Sequence, residues 1–456
     1  MGLFGRSWGG LGMSSSNAWL TLALKASGVS LIDCDHQTPT AAEEGYPYIA
    51  IPQLKNGHIS LDGVRRISRD DYLKWTKKLK PQVNDVIVVR RCNSGDSAHV
   101  PPGLECAIGQ NLIILRADGK TVLPEFLRWL INGPNWWDQV SKYINVGAVF
   151  DSLRCRDIPN FELTVPPVEH QREISTVLGA LDDRITLLRE TNTTLEAIAQ
   201  ALFKSWFVDF DPARAKQEGR EPEDIDAATA ELFPGSFEES ELGLVPKGWQ
   251  VGSIGRIAEI IDCLHSKKPV LIGDGWPFLQ LNNIRDDGLL DSSKVSYITE
   301  ADYRKWISRI EVAEGDCVIT NVGRVGAVAQ IPAGVKAAMG RNMTAIRPKN
   351  DWPYPTYLIE LLQSPWMRTE IKRRTDVGTI LDALNVRNIP ALRCVLAPRD
   401  VMRNFELSCR PLRATMEANL ERVNNLAAIR DTLLPRLISG QLRLPDAEAL
   451  IDEAIA

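Results

Sequence analysis

The sequence lacks the patterns that mark most catalytic and metal-binding proteins. Its eight cysteines are scattered along 456 residues, without a Cys-x-x-Cys pair or a paired histidine spacing, so neither a disulfide framework nor a zinc site is predicted. The chain also lacks a Gly-x-x-x-x-Gly-Lys-Ser/Thr phosphate loop, a glycine-rich turn opening a nucleotide-binding βαβ unit, and an Asn-Pro-Pro-aromatic tetrad of amino-methyltransferases. We therefore expect no catalytic site and no bound cofactor or metal.

Long apolar runs are missing as well. No stretch of 18 apolar residues occurs, and the segment Met1–Asn17 is rich in glycine and serine, without the apolar core of a signal peptide. These absences predict a protein that contacts no membrane and resides in the cytoplasm, with its cysteines reduced. Met13 is a second candidate for the start of translation.

One cysteine–histidine pattern occurs twice. Ile32-Asp33-Cys34 is followed by His36, and Ile261-Asp262-Cys263 is followed by His265. A nucleophilic pair two residues apart cannot easily meet on a strand, because such neighbours point the same way without facing each other. No residue that would orient the base is evident, so we expect a structural hydrogen bond for each histidine instead of catalysis.

The most informative feature of the sequence is a long internal repeat with a constant offset. The segments 146–159 and 377–390 are identical at seven of fourteen positions, and the same offset pairs Asp85 with Asp316 and Gly109 with Gly340. A repeat this long predicts two whole domains instead of a solenoid of short units. One interpretation is an ancient duplication without functional meaning. The interpretation we favour is that two similar modules perform the same task at a fixed separation.

Two segments show the heptad pattern of long helices. From Gln171 to Phe207 apolar residues recur at alternating steps of three and four, and Met402–Ile438 shows a weaker version. A helix this long cannot bury its apolar stripe alone, so the two are expected to pack together. The residues predicted to form this spacer and to contact partners are Glu169, Gln171, Ile174, Leu178, Leu181, Ile185, Leu195, Leu202, Trp206, Leu412, Leu426 and Leu433.

Between and before these helices, short apolar runs alternate with Asn-Gly, Asp-Gly and Pro-Gly turns. The fold class predicted is α+β: two similar α/β modules separated by two long helices that pack as an antiparallel coiled coil, with an internal pseudo-twofold repeat. The predicted boundaries are a first module over 1–158, a spacer helix over 159–210, an acidic linker over 211–245, a second module over 246–390, a second spacer helix over 391–440 and a tail over 441–456.

The distribution of charge keeps nucleic acid among the candidate ligands. The chain has a net charge of −5, but residues 159–245 alone carry 18 acidic and 7 basic residues, so both modules are mildly basic. After the strand at Asp85 or Asp316, each module has a polar, basic segment of the kind that reads base edges and phosphates. The predicted DNA-binding residues are Lys77, Lys78, Arg90, Arg91, Asn93, Gln110, Asn111, Lys267, Lys268, Asn321, Arg324, Arg341 and Asn342. Taken singly, each also suits an ordinary solvated loop.

Four short motifs together resemble one known family, the specificity subunit of type I restriction–modification systems. They lie at the start and end of the first long helix, at the start of the second half and near the end of the chain: Pro166-Pro-Val-Glu-His-Gln171, Phe203-Lys-Ser-Trp-Phe-Val-Asp-Phe210, Leu244-Val-Pro-Lys-Gly-Trp249 and Ile438-Ser-Gly-Gln-Leu442. The resemblance covers nearly the whole chain. One departure is that the second repeat has Asp400 and Met402 where the first has Glu169 and Gln171, which predicts unequal docking of partners.

The resemblance implies that each module is a target recognition domain for one half of a bipartite, asymmetric site in double-stranded DNA. It also implies that the helices set the spacing and dock two modification (methyltransferase) subunits, which restriction endonuclease subunits join. S-adenosylmethionine, ATP and Mg²⁺ would then be used by those partners. Two alternatives stay open: a structural adaptor that binds no DNA, and the recognition half of a fused restriction–methylation enzyme, whose methyltransferase motif is absent here.

Overall fold

The computed structural model describes residues 19–35, 37–147, 150–223, 225–378 and 381–455. The chain divides into two compact units. Unit 1 comprises Met1–Arg184 with Leu426–Ala456, and unit 2 comprises Ile185–Asn425. Each unit therefore combines one module with a segment of each long helix, and the bounds of the six predicted segments stay predictions. Two positions singled out in the sequence, Met13 and His36, lie outside the described residues.

The first module is built from short strands and helices. Its strands are β1 (Leu20–Ala23), β2 (Val29–Asp33), β3 (Tyr46–Ile49), β4 (Leu54–Lys55), β5 (His58–Ile59), β6 (Arg65–Ile67), β7 (Val86–Val89), β8 (Ser97–His99), β9 (Ala107–Ile108), β10 (Leu112–Ala117) and β11 (Glu162–Val165), and its helices are α1 (Arg69–Trp75), α2 (Pro124–Leu130) and α3 (Pro134–Tyr143). The long helix α4 (Val168–Lys204) follows.

An antiparallel sheet in the order β2-β10-β7-β8 forms the centre of this module, beside a three-stranded sheet in the order β6-β3-β9. All four residues of β7, Val-Ile-Val-Val, are buried, which is typical of a strand covered on both faces. One face packs on a core that includes Ile49 and Ile108 from the smaller sheet, and α2 contacts β8 and β10. β1 pairs with β11, next to the start of α4.

The acidic segment after α4 is more ordered than the sequence indicated. It contains α5 (Asp211–Gln217), α6 (Ala227–Glu231) and the hairpin of β12 (Phe237–Ser240) and β13 (Gly243–Pro246). Apart from Pro246 at the end of β13, these elements lie within the segment that was predicted as an acidic linker. Pro212 lies in the first turn of α5, where a proline favours a helix start instead of interrupting one.

The second module repeats the plan of the first. Its strands are β14 (Gln250–Ser253), β15 (Ala258–Asp262), β16 (Trp276–Leu279), β17 (Ser296–Ile298), β18 (Glu311–Val312), β19 (Cys317–Thr320), β20 (Val328–Gln330), β21 (Ala337–Met339), β22 (Met343–Pro348), β23 (Thr375–Asp376), β24 (Ala383–Leu384) and β25 (Arg393–Leu396), and its helices are α7 (Ile254–Ile257), α8 (Glu300–Trp306), α9 (Pro355–Gln363) and α10 (Pro365–Arg373). The second long helix is α11 (Arg399–Ile438), followed by α12 (Leu444–Ile455).

The internal repeat of the sequence is a repeat of structure. The bounds of α1, β7, β8, β10 and β11 recur, at the offset that pairs Asp85 with Asp316, as α8, β19, β20, β22 and β25. The sheet order β15-β22-β19-β20 reproduces β2-β10-β7-β8. An ion pair that closes one end of this sheet also recurs, between Arg116 and Asp85 at 2.7 Å and between Arg347 and Asp316 at 2.6 Å. The predicted α+β fold with two similar modules is confirmed.

Both long helices are confirmed, and each begins three residues before the heptad segment that predicted it. The helix α4 has 37 residues, or about 55 Å at the usual rise, and α11 has 40. Prolines 167 and 398 precede the two helix starts closely and are compatible with them. A π-helical turn, Ser205–Asp209, extends α4. The segment predicted as a tail over residues 441–456 contains a helix, α12, which begins at Leu444.

The long helices pack antiparallel in each unit. In unit 2, Asn192 donates a hydrogen bond to the Met416 carbonyl at 2.9 Å, and the Trp206 ring lies 5.9 Å from that of Phe405. Residue numbers therefore decrease along α11 in the direction in which they increase along α4. In unit 1, Arg430 pairs with Asp182 at 2.6 Å. The predicted coiled-coil pairing is thus confirmed. No helix in the described ranges is both long and apolar enough to span a membrane.

Candidate nucleic-acid interface

The predicted DNA-binding residues of the first module gather at one end of its central sheet. Because neighbouring strands are antiparallel, β2 and β7 end where β8 and β10 begin. The loops after Asp33 and Val89 therefore lie beside those before Ser97 and Leu112. This end of the sheet, with its loops, is called the loop end below. It holds Arg90, Arg91, Asn93, Gln110 and Asn111.

The loop that follows β2 contacts several of these candidates. Gln110 donates from Nε2 to the Thr38 hydroxyl at 3.0 Å, and Nζ of Lys78 lies 3.9 Å from a carboxylate oxygen of Asp35. Trp75 donates from Nε1 to the Gln37 carbonyl at 3.0 Å. These bonds bring the stretch after helix α1, which includes the exposed Lys77 and Lys78, next to the loop end.

The basic residues after β7 differ in exposure. The Arg90 side chain is only 12% exposed, with Nη2 at 3.9 Å from Asp33, so it supports the loop end from within. Arg91 and Asn93 are exposed, and the Arg91 guanidinium lies 5.7 Å from the centre of the Phe150 ring. Of these three side chains, Arg91 and Asn93 are accessible to a ligand, although contact with DNA stays a prediction.

The repeated asparagines have a backbone role. Asn111 and Asn342 adopt left-handed φ values of 72° and 66°, a conformation that asparagine tolerates better than most residues. Their carbonyls accept hydrogen bonds from the amides of Arg90 at 2.8 Å and Asn321 at 2.7 Å. The agreement between the two copies at this position therefore has a structural cause, whether or not the side chains also contact DNA.

The loop end of the second module is built in the same way. Lys267, Lys268 and Arg341 are exposed there, and the exposed Arg324 pairs with Asp286 at 2.6 Å. Asn321 differs, because its side chain is buried. It donates to the Leu384 carbonyl at 3.1 Å and accepts from the Thr344 hydroxyl at 2.9 Å. A DNA contact by Asn321 would require these bonds to break.

One basic residue of this end was not predicted. Nη1 of Arg309 lies 3.5 Å from an oxygen of Asp262 and donates to the Cys263 carbonyl at 3.1 Å. In the repeat, Arg309 corresponds to Lys78, which contacts the equivalent loop of the first module. The repeat offset was the signal that could have identified it.

Asp262, Cys263 and His265 form a group of potential metal ligands whose donor atoms lie within 4.8 Å of one another. His265 and Asp262 share a hydrogen bond of 2.8 Å, which confirms the structural role predicted for this histidine. The Arg309 guanidinium already neutralises Asp262, and burial raises the pKa of the Cys263 thiol, so the group is poorly suited to a cation. It is the one group of potential metal ligands among the described residues, and we assign no metal to it.

Each module is attached to the long helices through a buried charge. In unit 1 this charge is Asp182 on α4, whose carboxylate lies 2.9 Å from Arg128 on α2, 2.6 Å from Arg430 on α11 and 3.3 Å from His58 on β5. Burial raises the pKa of Asp182, but the hydrogen bonds and charges of His58, Arg128 and Arg430 outweigh it, and the pKa lies well below its usual value. We call this group the unit 1 anchor.

His99 completes the unit 1 anchor. One of its ring nitrogens lies 3.2 Å from Nη1 of Arg128, and the other lies 3.1 Å from the Gly57 carbonyl. Burial, together with the positive charge of Arg128, lowers the pKa of His99 to about 4. His99 is therefore neutral at physiological pH.

The corresponding group in unit 2, the unit 2 anchor, has the opposite polarity. Arg413 occupies the position that corresponds to Asp182, and it donates to the Gly288 carbonyl and to Oε1 of Gln330. Its Nη1 lies 3.8 Å from the buried carboxylate of Glu360. Burial raises the pKa of Glu360 to about 7, against the opposing effects of Arg413 and of a hydrogen bond from Gln200.

Gln171, predicted to contact partners, is internal. Its Oε1 accepts from the Leu123 amide at 2.8 Å, and its Nε2 donates to the carbonyls of Thr121 and Pro166 at 2.7 and 2.8 Å. In unit 2 a different residue connects the long helix α11 to the short helix α9, since Glu406 accepts hydrogen bonds from the first amides of α9. The glutamine missing from the second repeat therefore has a structural substitute.

The other predicted spacer residues are mostly internal as well. Glu169 alone of the set is exposed, with Arg172 at 3.0 Å. The heptad residues pack within their units: Ile174, Leu178, Leu181, Ile185, Trp206, Leu426 and Leu433 are buried, and Leu195, Leu202 and Leu412 are half-buried. These side chains stabilise the interior of each unit. An exposed docking surface for another subunit would therefore have to use other residues of the helices.

Comparison with known proteins finds similarity to one family. Residues 34–197 match the family model described as type I restriction modification DNA specificity domain. The chain is 25% identical over 385 residues to the HindI specificity subunit of Haemophilus influenzae, covering 74% of this chain and 81% of that protein. It is 24% identical over 336 residues to the MjaIX specificity subunit of Methanocaldococcus jannaschii, covering 73% and 72%.

A solved structure shows the same fold. The crystal structure of a type I restriction–modification S subunit from M. genitalium superposes with a TM-score of 0.54 at 15% identity, over 94% of this chain and 98% of that one. Both chains therefore share the fold described above, at a sequence identity too low to carry more than the fold. Over 74% and 73% of its length, the chain is similar to specificity subunits of type I restriction–modification systems.

Proposed function

We propose that the chain reads a bipartite, asymmetric site in double-stranded DNA, with one half-site bound by each module. The observation that carries this proposal is the repeated loop end. It presents Arg91 and Asn93 in one module and Arg324 and Arg341 in the other, all exposed, and Arg324 lies at the position equivalent to Asn93. Arginine and asparagine suit bidentate contact with guanine and adenine edges. Because these residues differ between the copies, the two half-sites differ in sequence.

The long helices set the spacing between the half-sites. A helix of 37 or 40 residues is stiff along its axis and adds about 1.5 Å per residue, which makes it a suitable ruler. The same helices dock two modification subunits, which methylate adenine in the recognised site, and restriction endonuclease subunits join that complex. Catalysis belongs to these partners, which use S-adenosylmethionine, ATP and Mg²⁺.

The test is to co-express the chain with the modification subunit of its own system and to map methylated adenines across the host genome. A single split motif that disappears when this chain is deleted is the expected result, and it yields both half-sites and the spacer. If no methylation depends on the chain, a salt-dependent binding assay on the purified complex distinguishes a silent system from a protein-binding adaptor. Binding without any preference for sequence would contradict the proposal.

Variants at the two loop ends test whether each module recognises its half-site independently of the other. We expect Arg91→Ala to relax or abolish recognition of one half-site and Arg324→Ala to affect only the other, each by about 1–3 kcal/mol of binding free energy. Methylation maps of both variants provide the measurement, and each variant is the control for the other. Loss of both half-sites from one substitution would contradict the model of two independent readers.

A further inference from the structure

Each loop end carries a tip of exposed apolar side chains that the proposed base contacts do not use. Val146 and Val377 are 83% and 88% exposed, more than any other large apolar side chain in the described part of the chain. They occupy equivalent positions of the repeat, as do Phe150 and Leu381, which are also exposed. Single exposed apolar residues are common on proteins, but the same exposed pair at the same place in two modules indicates a shared ligand.

A glycine follows the first apolar residue of each tip, Gly147 after Val146 and Gly378 after Val377. A Cβ added to Gly147 would lie 2.4 Å from the carbonyl oxygen of Phe150, and one added to Gly378 would lie 2.2 Å from that of Leu381. No real Cβ contact is that short, so both positions require glycine. Beneath them the chain is paired: Asn145 and Ser152 exchange backbone hydrogen bonds of 2.9 and 3.0 Å, and β23 pairs with β24.

Each tip is also joined to the loop that carries the candidate DNA contacts. In unit 1 the Leu153 amide donates to the Arg90 carbonyl at 2.8 Å, and the Cys92 amide donates to the Asp151 carbonyl at 3.2 Å. In unit 2 the Leu384 amide donates to the Asn321 carbonyl at 2.8 Å, and Val322 forms a bridge with Ala383. The apolar tip and the polar loop therefore form one continuous surface in each module.

We propose, on the basis of the DNA-reading function above, that the two tips are wedges that press on one base step of each half-site and partly unstack it. The bases and sugars offer an apolar surface small enough for one or two side chains, and Phe, Leu and other apolar residues act as such wedges in DNA-bending proteins. A protein partner would require a much broader apolar patch, since stable interfaces bury more than about 1,000 Å². Arg91, packed on the Phe150 ring, brings a cation that favours DNA beside the first wedge.

The experiment uses the complex of this chain with its modification subunits and duplexes that carry 2-aminopurine at successive steps of both half-sites. We expect the fluorescence of 2-aminopurine to rise at one step in each half-site on binding, because unstacking relieves its quenching. The double variant Val146→Ser with Phe150→Ser should abolish the rise in the half-site of the first module alone and weaken binding about tenfold, within the range measured for removed base-stacking contacts. Val377→Ser with Leu381→Ser should affect only the other half-site.

The outcomes distinguish the inference from the function on which it rests. A wild-type complex that recognises its split site without a fluorescence rise at any step overturns the wedges and leaves the proposed function intact. Variants that lose the modification subunits in size-exclusion chromatography would show that the tips bind protein, which also overturns the wedges. A wild-type complex that binds DNA without any sequence preference would contradict both the proposed function and the wedges. Since all four side chains are exposed, the variants are expected to fold, and circular dichroism checks this.

Discussion

The two anchors differ in the sign of the buried charge while sharing its position. Asp182 in unit 1 and Arg413 in unit 2 lie at equivalent places on the first and second long helices, and both are only 4% exposed. Asp182 is held by two arginines and a histidine, whereas Arg413 is held by Glu360, Gln330 and a carbonyl. What the two units share is a charged residue with several partners, which ties the module to the helices, and not a particular amino acid.

The reversal of sign has a physical consequence for pairing. A module that brought Arg128 next to Arg413 would bury two like charges, and one that brought Glu360 next to Asp182 would do the same. Both arrangements are costly in a medium of low dielectric. The opposite polarities therefore favour the pairing of each module with its own stretch of helix.

The largest effect is expected from removing the central charge of the unit 1 anchor. Asp182→Ala leaves Arg128 and Arg430 buried without their shared counter-ion, which should lower the free energy of unfolding by about 3–5 kcal/mol. Denaturant unfolding measures the change. The control is Asp183→Ala, on the adjacent, exposed residue of the same helix, which should have little effect. Equal effects of the two substitutions would show that the anchor contributes nothing specific.

The anchors should also respond oppositely to pH. The pKa of His99, about 4 in the folded chain, lies below its usual 6.5. As the pH falls, the unfolded state therefore binds a proton at a higher pH than the folded state does. The stabilisation is complete above pH 6.5 and is lost as the pH falls towards 4, by up to about 3 kcal/mol. The pKa of Glu360, about 7, lies above its usual 4.5, so its contribution is complete below pH 4.5 and is lost as the pH rises through 7.

Hydrogen exchange followed separately in each unit between pH 4.5 and 7 provides the measurement. Unit 1 should become more protected as the pH rises, relative to His99→Gln, which introduces the residue type found at the equivalent position 330. Unit 2 should become less protected, relative to Glu360→Gln. Parallel pH profiles in the two units, unchanged by these variants, would contradict the opposite polarity of the anchors.

Substitution of Gln171 tests the attachment of helix α2 to the long helix α4. Gln171→Leu leaves the Leu123 amide and the carbonyls of Thr121 and Pro166 without their partner, which should cost about 1–3 kcal/mol. The matched control is Met402→Leu at the equivalent position of α11, which preserves an apolar contact and should cost less than about 1.5 kcal/mol. Thermal unfolding of both variants is the measurement, and a larger loss in Met402→Leu would reverse this interpretation.

The smallest effects on stability are expected at Asn111 and Asn342, where the two modules share the same residue and the same left-handed conformation. Asn111→Ala and Asn342→Ala each place a less tolerant residue in a left-handed conformation, at a cost of about 1 kcal/mol, whereas glycine at either position should be nearly neutral. Unfolding measured for all four variants tests whether the copies are equivalent at this turn. If glycine were as destabilising as alanine, the asparagine side chain, and not its backbone conformation, would be what matters.

The candidate site shows how far sequence reasoning reached. The constant offset of the repeat placed Arg91 and Arg324 at equivalent loops, because an offset is a property of the chain alone. Arg309 was missed because its partner, Asp262, is 47 residues away in sequence. Asn321 was assigned to the surface because an asparagine after a strand is usually exposed, whereas this one bonds to Leu384 on another hairpin.

The sequence by itself determined the two modules, the two long helices and the resemblance to a known family, because periodicity, repetition and short motifs are local properties of the chain. Only the tertiary structure decided which buried charge anchors each module and that Gln171 lies inside. It also decided that the exposed apolar tips adjoin the loops with the candidate DNA contacts. Those features depend on contacts between residues far apart in sequence, such as Asp182 with Arg430, and a burial that no single stretch of sequence encodes.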